Sequence, residues 1–554
     1  MPHLSSAVIT PLARRWTKLA VGATAALAGA AFLPGTALAS HSQVAIIQDG
    51  SDLANPGAAM QKFRQLGATT VRVVVPWAQL APSPGATKPP QGFNATDPNA
   101  YSASAWAPFD GVVEAAKQYG LTVYFDVTGG APRWAEGSAP AKPVNESLLF
   151  LAWKPNAADY GQFVRAVGTR YDGRFTPKGA SAPLPAVHFW SIFNEPNFGE
   201  DLGPQAINGS RTVVAPMMFR NLLNAGWSAL HATGHSRDTI LWGEFAAEGF
   251  EFHAPYGHAP QGLPGNYGQT RPLLFLRDVY CVDSSYNELR GGAAKSVGCP
   301  TTAAASRRFR SQNPALFSAS GVADHPYPQT ASPVSQAGNA VDYATFPDLG
   351  NMESELDHLN RIYGSGKKFS IYNSEYGYIT NPPHPRYLSP ATAATYINWA
   401  EYLSWRSGRI ASTMQYLLED PPANAGVYAG FASGLYFSNG KPKATLAAYE
   451  MPLYLPKTAL PHGQSAEVWG EARPAHAMSR DTHQTQSVQI QFQPSGHGVW
   501  QTVSTQKANG YFDTHVKFPT GGNVRLAYKY PTTDPFLPVG VSGTTLYSRT
   551  VKIS

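Results

Sequence analysis

The chain has 554 residues, 43% of them hydrophobic and 14% charged, which supplies a large buried core and excludes a disordered, charge-rich chain. Its formal net charge is +6, but Arg14, Arg15 and Lys18 supply three of those charges, leaving +3, and no basic run follows. A nucleic-acid partner therefore loses its main support, and with 2 cysteines a core rather than a disulfide framework must hold the fold.

The first 39 residues read as a secretory signal peptide. Arg14, Arg15 and Lys18 form a basic region, 19–33 is apolar and alanine-rich, and Ala37-Leu38-Ala39 is an A-x-A cleavage site. Ser40 would begin a secreted, extracellular chain, and Arg14-Arg15-Trp16 fits the twin-arginine export pattern in part. The apolar stretch is short for a membrane span, and nothing later approaches the length required.

Beyond the leader, short apolar runs alternate with amphipathic ones. The spacing predicts strands over 44–48, 70–76, 122–127, 187–193, 239–245, 321–325, 369–373 and 413–418. Helices are expected over 57–66, 107–119, 157–171, 216–233, 273–280, 352–363, 390–406 and 444–454. Eight strand-helix repeats with apolar strands imply a parallel sheet able to close, so the fold class is α/β, a (β/α)8 TIM barrel over 40–460. Three long Pro/Gly/Ser-rich loops, 81–105, 129–156 and 254–316, follow strands, on the face where such barrels carry their sites. The third holds Cys281 and Cys299, which in an exported chain are expected to form a disulfide; a zinc site is the competing reading and lacks a C-x-x-C pattern.

From about residue 466 the period changes to two. V-Q-I-Q-F-Q, Y-F-D-T-H-V-K-F and V-R-L-A-Y-K-Y alternate between Gly/Pro/Asn turns, which predicts a small all-β sandwich over 461–554. A cut near residue 460 would then leave a working barrel, with the sandwich acting as a cap.

Two strand ends carry the chemistry. F-W-S-I-F-N-E-P-N (189–197) and F-S-I-Y-N-S-E-Y-G (369–377) each run an apolar strand into a glutamate, and Pro196 forces the chain out of the sheet directly after Glu195. Cleaving a glycosidic bond needs such a pair: one carboxyl group protonates the leaving oxygen while the other attacks the sugar carbon or activates water. Surface glutamates are the competing reading for any single residue.

Asn194-Glu195-Pro196, with Glu375 on a later strand, resembles glycoside hydrolase clan A over about residues 43–455. The resemblance implies a retaining (β/α)8-barrel glycosidase in which Glu195 is the acid/base at the end of strand four and Glu375 the nucleophile at the end of strand seven. It further implies that Asn194 binds the sugar 2-hydroxyl, that Arg72 on the second strand supports the nucleophile, and that the tyrosine of Asp324-His325-Pro326-Tyr327 orients it. Where many clan members end the eighth strand on tryptophan, this chain has Met414-Gln415-Tyr416.

Trp77 and Trp134, at the entries to long loops, are candidate stacking platforms for sugar rings, although most aromatic residues fill cores. The expected partner is a carbohydrate substrate, with no metal, no cofactor and a monomeric chain. A transglycosylase, or a carbohydrate-binding protein on the same barrel without catalysis, would share these residues.

Overall fold

The computed structural model describes residues 43–138, 152–206, 213–249, 269–336, 341–422, 424, 430–461, 464–495 and 498–554. The predicted leader lies outside them, as do parts of the second and third long loops.

Eight parallel strands form one sheet: β1 (Val44–Gln48), β2 (Thr70–Pro76), β3 (Thr122–Thr128), β4 (Phe189–Ile192), β5 (Thr239–Ala246), β6 (Gly321–His325), β7 (Ser370–Asn373) and β8 (Ser412–Tyr416). Their order runs from β7 down to β1 and then to β8. The ring is completed between β7 and β8, where the Ile371 amide donates to the Arg409 carbonyl and the Ala411 amide to that of Ile371, both at 2.8 Å. Helices between the strands cover the outside, among them Pro56–Leu66, Ala103–Tyr119, Ala157–Arg170, Ala215–Ala232, Leu349–Ile362 and Pro390–Arg406.

The period-two geometry of a strand explains how apolar runs can carry charged groups. In β2 the odd residues Val71, Val73 and Val75 are buried, while Val74 and Pro76 line a cleft. Arg72, two residues before Val74, therefore points into the barrel. The barrel interior is layered. Near the amino ends of the strands, Tyr124, Phe189 and Tyr372 pack their rings, with centroids 4.1 and 5.6 Å apart, and near the carboxyl ends the layer is polar.

One departure from regular pairing matters for the site. β5 shifts register against β6 between Trp242 and Phe245, where Gly243 has φ +116° and a Cβ there would lie 2.5 Å from the Ala323 carbonyl oxygen. Only glycine fits this bulge, and Glu244 follows it with φ +48°.

The eighth helix is shorter than predicted. It ends at Glu450, and Leu453–Tyr454 form β9 instead, because Pro452 cannot supply the amide hydrogen that a continuing helix requires. β9 pairs antiparallel with β10 (Ser465–Gly470), which pairs with β13 (Phe512–Lys517). The second sheet of the sandwich holds β11 (Ser487–Pro494), β12 (Gln501–Lys507), β14 (Gly522–Lys529), β15 (Thr545–Tyr547) and β16 (Val551–Ile553). A helix, Ala475–Thr482, was not anticipated from the alternating pattern.

The sandwich packs on the flank of the barrel through buried charge. Arg473 donates to Glu401 Oε1 at 2.5 Å and to the Tyr449 carbonyl at 2.7 Å, and Tyr511 donates to the same Glu401 oxygen at 2.5 Å. A second pair joins Arg64 of the first barrel helix to Asp534 at 2.6 Å and also to Asp481. Trp405 and Tyr402 meet Trp469, which in turn stacks on Tyr511.

Cys281 and Cys299 form a disulfide with Cα atoms 5.6 Å apart. Arg220 spans both ends of that loop, donating to the carbonyls of Asp278 and Val279 on one side and Val297 and Gly298 on the other. Closing a loop of 18 residues is worth about 3 kcal/mol on the chain-entropy account. Reduction is therefore expected to lower denaturant stability by about that amount, and thiol labelling of folded, unreduced protein should find neither cysteine. Two reactive thiols in that sample would refute the bridge.

Candidate active site

The carboxyl ends of the barrel strands open into a cleft of about 690 Å³, lined among the described residues by Asn194, Glu195, Tyr327, Glu375, Tyr416 and Phe431, with others. The backbone sets Glu195 there. After β4, Phe193 (φ +73°) and Glu195 itself (φ +36°) adopt left-handed conformations that cost of order 1–3 kcal/mol each. Neighbouring strands hold them. The Asn194 amide donates to Thr128 Oγ1 at 2.8 Å, and the Glu195 amide donates to the Glu244 carbonyl at 2.9 Å. Asn197, fully buried, ties the following turn to Ala246 and Thr270. The N-E-P-N string thus folds as a braced exit from the strand, with the glutamate side chain partly open at 18% exposure.

Glu375 follows β7 and Ser374, whose amide donates to the Asp324 carbonyl at 3.0 Å. Its two oxygens have separate donors: Arg72 Nη1 at 2.6 Å from Oε1, and the Tyr327 hydroxyl at 3.1 Å from Oε2. The second-strand arginine and the tyrosine of the His-Pro-Tyr element therefore meet on one carboxylate. Arg72 also donates to Asn194 Oδ1 and Asp126 Oδ2, each at 2.9 Å, and to Gln48. His325 Nδ1 lies 2.8 Å from Glu195 Oε1 and 3.7 Å from Glu375 Oε2. One oxygen of Glu195, one of Glu375 and a nitrogen of His325 all lie within 4.8 Å of one another. The His325 nitrogen of that group is Nδ1, the one at hydrogen-bond distance from Glu195 Oε1.

The residue that sequence reading missed is Glu244. It is fully buried and accepts hydrogen bonds from Arg72 Nη2 at 3.1 Å, His325 Nε2 at 2.7 Å, Ser374 Oγ at 2.6 Å and the Tyr124 hydroxyl. The signal was present: a glutamate after glycine inside the apolar run T-I-L-W-G-E-F-A is as anomalous as Arg72 in its own strand. Burial works to raise the Glu244 pKa, but the Arg72 charge and the His325 contacts outweigh it and hold the carboxyl far below the usual range. Burial also works to lower His325, and the Glu375 charge with the contacts to Glu195 and Glu244 outweighs it, pushing the imidazole well above its ordinary value. Asp126 moves the other way, raised to about 7 by burial against the pull of Arg72.

Two expected platforms lie elsewhere. Trp77 is 1% exposed and packs among Trp134, Tyr160 and Phe163, because the chain turns into a one-turn helix at Trp77–Leu80 and rolls the ring under the loop. Trp134 donates its indole N–H to the Pro82 carbonyl at 3.2 Å and does not line the cleft. The aromatic lining among the described residues is Phe198, Tyr327, Tyr416 and Phe431. Tyr327, Tyr416 and Phe431 meet edge to face, so the end of the eighth strand supplies a tyrosine where the clan's tryptophan was absent.

No protein-family model matches the chain, and no curated protein matches it. Among solved structures it is similar to a glucosidase from Croceicoccus marinus, with TM-score 0.43 and 11% identity over 83% of this chain and 89% of that one. It is also similar to a family 39 glycoside hydrolase from Bacteroides cellulosilyticus WH2, with TM-score 0.43 and 14% identity over 86% and 79%. A third is a family 1 β-glucosidase from Thermotoga maritima, with TM-score 0.41 and 14% identity over 72% and 85%.

Proposed function

We propose that the protein is a secreted, retaining glycoside hydrolase that cleaves O-glycosidic bonds by double displacement. The observation that carries this reading is the approach of the two strand-end carboxylates, whose nearest oxygens lie within 4.8 Å at the floor of an open cleft. Retaining enzymes hold their carboxyl groups about 5–5.5 Å apart, whereas inverting ones leave about 6.5–9.5 Å for a water. The leader pattern and the disulfide support export, and no helix among the described residues is long and apolar enough to cross a membrane.

In the first step a Glu375 oxygen attacks the anomeric carbon as the bond to the leaving oxygen breaks, and Glu195 delivers the proton that this oxygen takes up. A glycosyl ester of Glu375 results. In the second step Glu195 accepts a proton from water, whose oxygen attacks the same carbon and releases the Glu375 carboxylate. Arg72 and Tyr327, each donating to a different oxygen, fix the plane of the nucleophile and its approach. Asn194, which Arg72 holds at 2.9 Å and which lines the cleft, is the residue assigned to the hydroxyl next to the reacting carbon.

The role of Glu195 has a direct test. Glu195→Ala is expected to lower turnover of ordinary glycosides by about 10²–10⁴-fold, because their leaving oxygen needs a proton, and to spare the first step for dinitrophenyl glycosides, which do not. Burst kinetics separate the two steps. An equal loss on both substrates would assign the proton to another group.

A further inference from the structure

We propose that Glu244 is a positioning residue for this reaction, holding His325 as an imidazolium that donates one proton to Glu244 and the other to Glu195. The inference rests on the reading of Glu195 as the acid/base. It starts from geometry. Both ring nitrogens of His325 face carboxylate oxygens, Nε2 at 2.7 Å from Glu244 Oε2 and Nδ1 at 2.8 Å from Glu195 Oε1. A neutral imidazole has one nitrogen without a hydrogen: facing the ionised Glu244 it would press lone pair against lone pair, and facing Glu195 it would need that residue's proton on Oε1. The doubly protonated ring satisfies both contacts and leaves the Glu195 proton on its other oxygen for the leaving group.

Glu244 is suited to this task because it is walled off from solvent. Its side chain is fully buried, it does not line the cleft, and it cannot reach a substrate. Donors arrive from four directions: Arg72 on β2, Tyr124 on β3, His325 on β6 and Ser374 beyond β7. A carboxylate accepting so many bonds is a fixed anion, and its main chain also accepts the Glu195 amide at 2.9 Å. The β5 bulge therefore holds Glu195 twice, through its backbone directly and through its side chain by way of His325. The other charged groups near the ring are Glu375, 3.7 Å from Nδ1, Asp324 next to it in sequence, and Arg72, which shares Glu244 Oε2 with the ring's Nε2 and pairs with Asp126 at 2.9 Å. Arg72 disfavours the ring's charge, and the carboxylates outweigh it.

Two measurements decide the matter. The first uses the unaltered protein with ¹⁵N-labelled histidine, the His325 signals being assigned by their loss in His325→Asn. They are expected to show the imidazolium pattern at about pH 7, where an ordinary imidazole is mostly neutral. The second is Glu244→Gln, which keeps the volume and removes the charge. Its His325 signals should titrate below those of the unaltered protein, and kcat on substrates with poor leaving groups should fall on the order of 10²-fold. KM should stay within about threefold, and the loss in the burst (first-step) rate on dinitrophenyl glycosides should be much smaller, since that step needs no proton from Glu195.

A neutral ring at about pH 7 in the unaltered protein overturns the proposal. So does a folded Glu244→Gln enzyme whose ring titrates no lower than in the unaltered protein, or whose first-step rate falls equally on both substrates. Should that variant fail to fold, the spectrum of the unaltered protein still decides. If Glu195 proves not to be the acid/base, the kinetic arm fails while the ring's protonation stands, so the two readings fail separately.

Discussion

Glu375→Ala is expected to abolish turnover, with a loss on the order of 10⁴-fold or more, and azide should restore activity on substrates with good leaving groups. The reason is geometric. Glu375 is the carboxylate that Arg72 and Tyr327 grip from two sides, and its removal leaves a space beside the anomeric carbon that a small anion can enter. Azide would attack from the vacated face, giving a glycosyl azide of inverted configuration, because only one displacement then occurs. Product configuration by NMR is the decisive readout, since loss of activity alone also follows from misfolding. The Ala variant should fold, for Glu375 is partly exposed and Arg72 retains Asp126, Asn194 and Glu244. If azide is without effect and a mechanism-based fluoro-sugar labels another carboxylate, the nucleophile is elsewhere.

Separating the sandwich from the barrel is expected to destroy the fold of both. Reading the period change alone, a fragment ending near residue 460 should remain active on small glycosides. The tertiary structure argues otherwise. Such a cut divides β9 from its partner β10 and strips Arg473 and Tyr511 from Glu401, and Asp481 and Asp534 from Arg64. With the sandwich in place Glu401 and Arg64 are 5% and 1% exposed, and the cut would bare them together with Tyr402 and Trp405, which pack on Trp469. Baring that apolar surface removes part of the barrel's hydrophobic stabilisation and opens a patch prone to association. The fragment should therefore be insoluble or molten when expressed alone. Arg473→Ala in the full chain isolates one pair: denaturant unfolding should show about 3–5 kcal/mol of lost stability, with kcat little changed because none of the described sandwich residues lines the cleft. A soluble fragment with cooperative unfolding and full activity would show that the interface is incidental.

The strands were legible because each buries both faces. A parallel barrel strand has apolar residues on its outer face under a helix, and V-R-V-V-V or F-W-S-I-F declares itself without any partner being known. The helix and strand boundaries moved by a few residues, and the error at Pro452 came from extending a helix through a residue that cannot donate. The two glutamates were legible for a related reason. Each is the first charged residue where an apolar strand gives way to a turn, and a carboxylate there must sit at the mouth of the barrel. The same logic misled at Trp77, since strand alternation says nothing about a side chain whose backbone has already turned into a helix.

By itself, then, the sequence determined the alternation of strand and helix, the change of period that marks the sandwich, and the two carboxylates at strand ends, because all three are written in local patterns of burial. Tertiary structure alone decided which charges meet. Arg72, Glu244, His325 and Glu375 come from four strand regions, and nothing in their spacing says that one arginine will serve both Glu244 and Glu375 or that one histidine will lie between Glu244 and Glu195. Glu401 and Arg473 likewise find each other across an interface that neither neighbourhood announces. Desolvation is the reason. A charge inside an apolar strand says that a partner must exist, since an unpaired one could not stay buried, but the partner's identity depends on how the barrel closes.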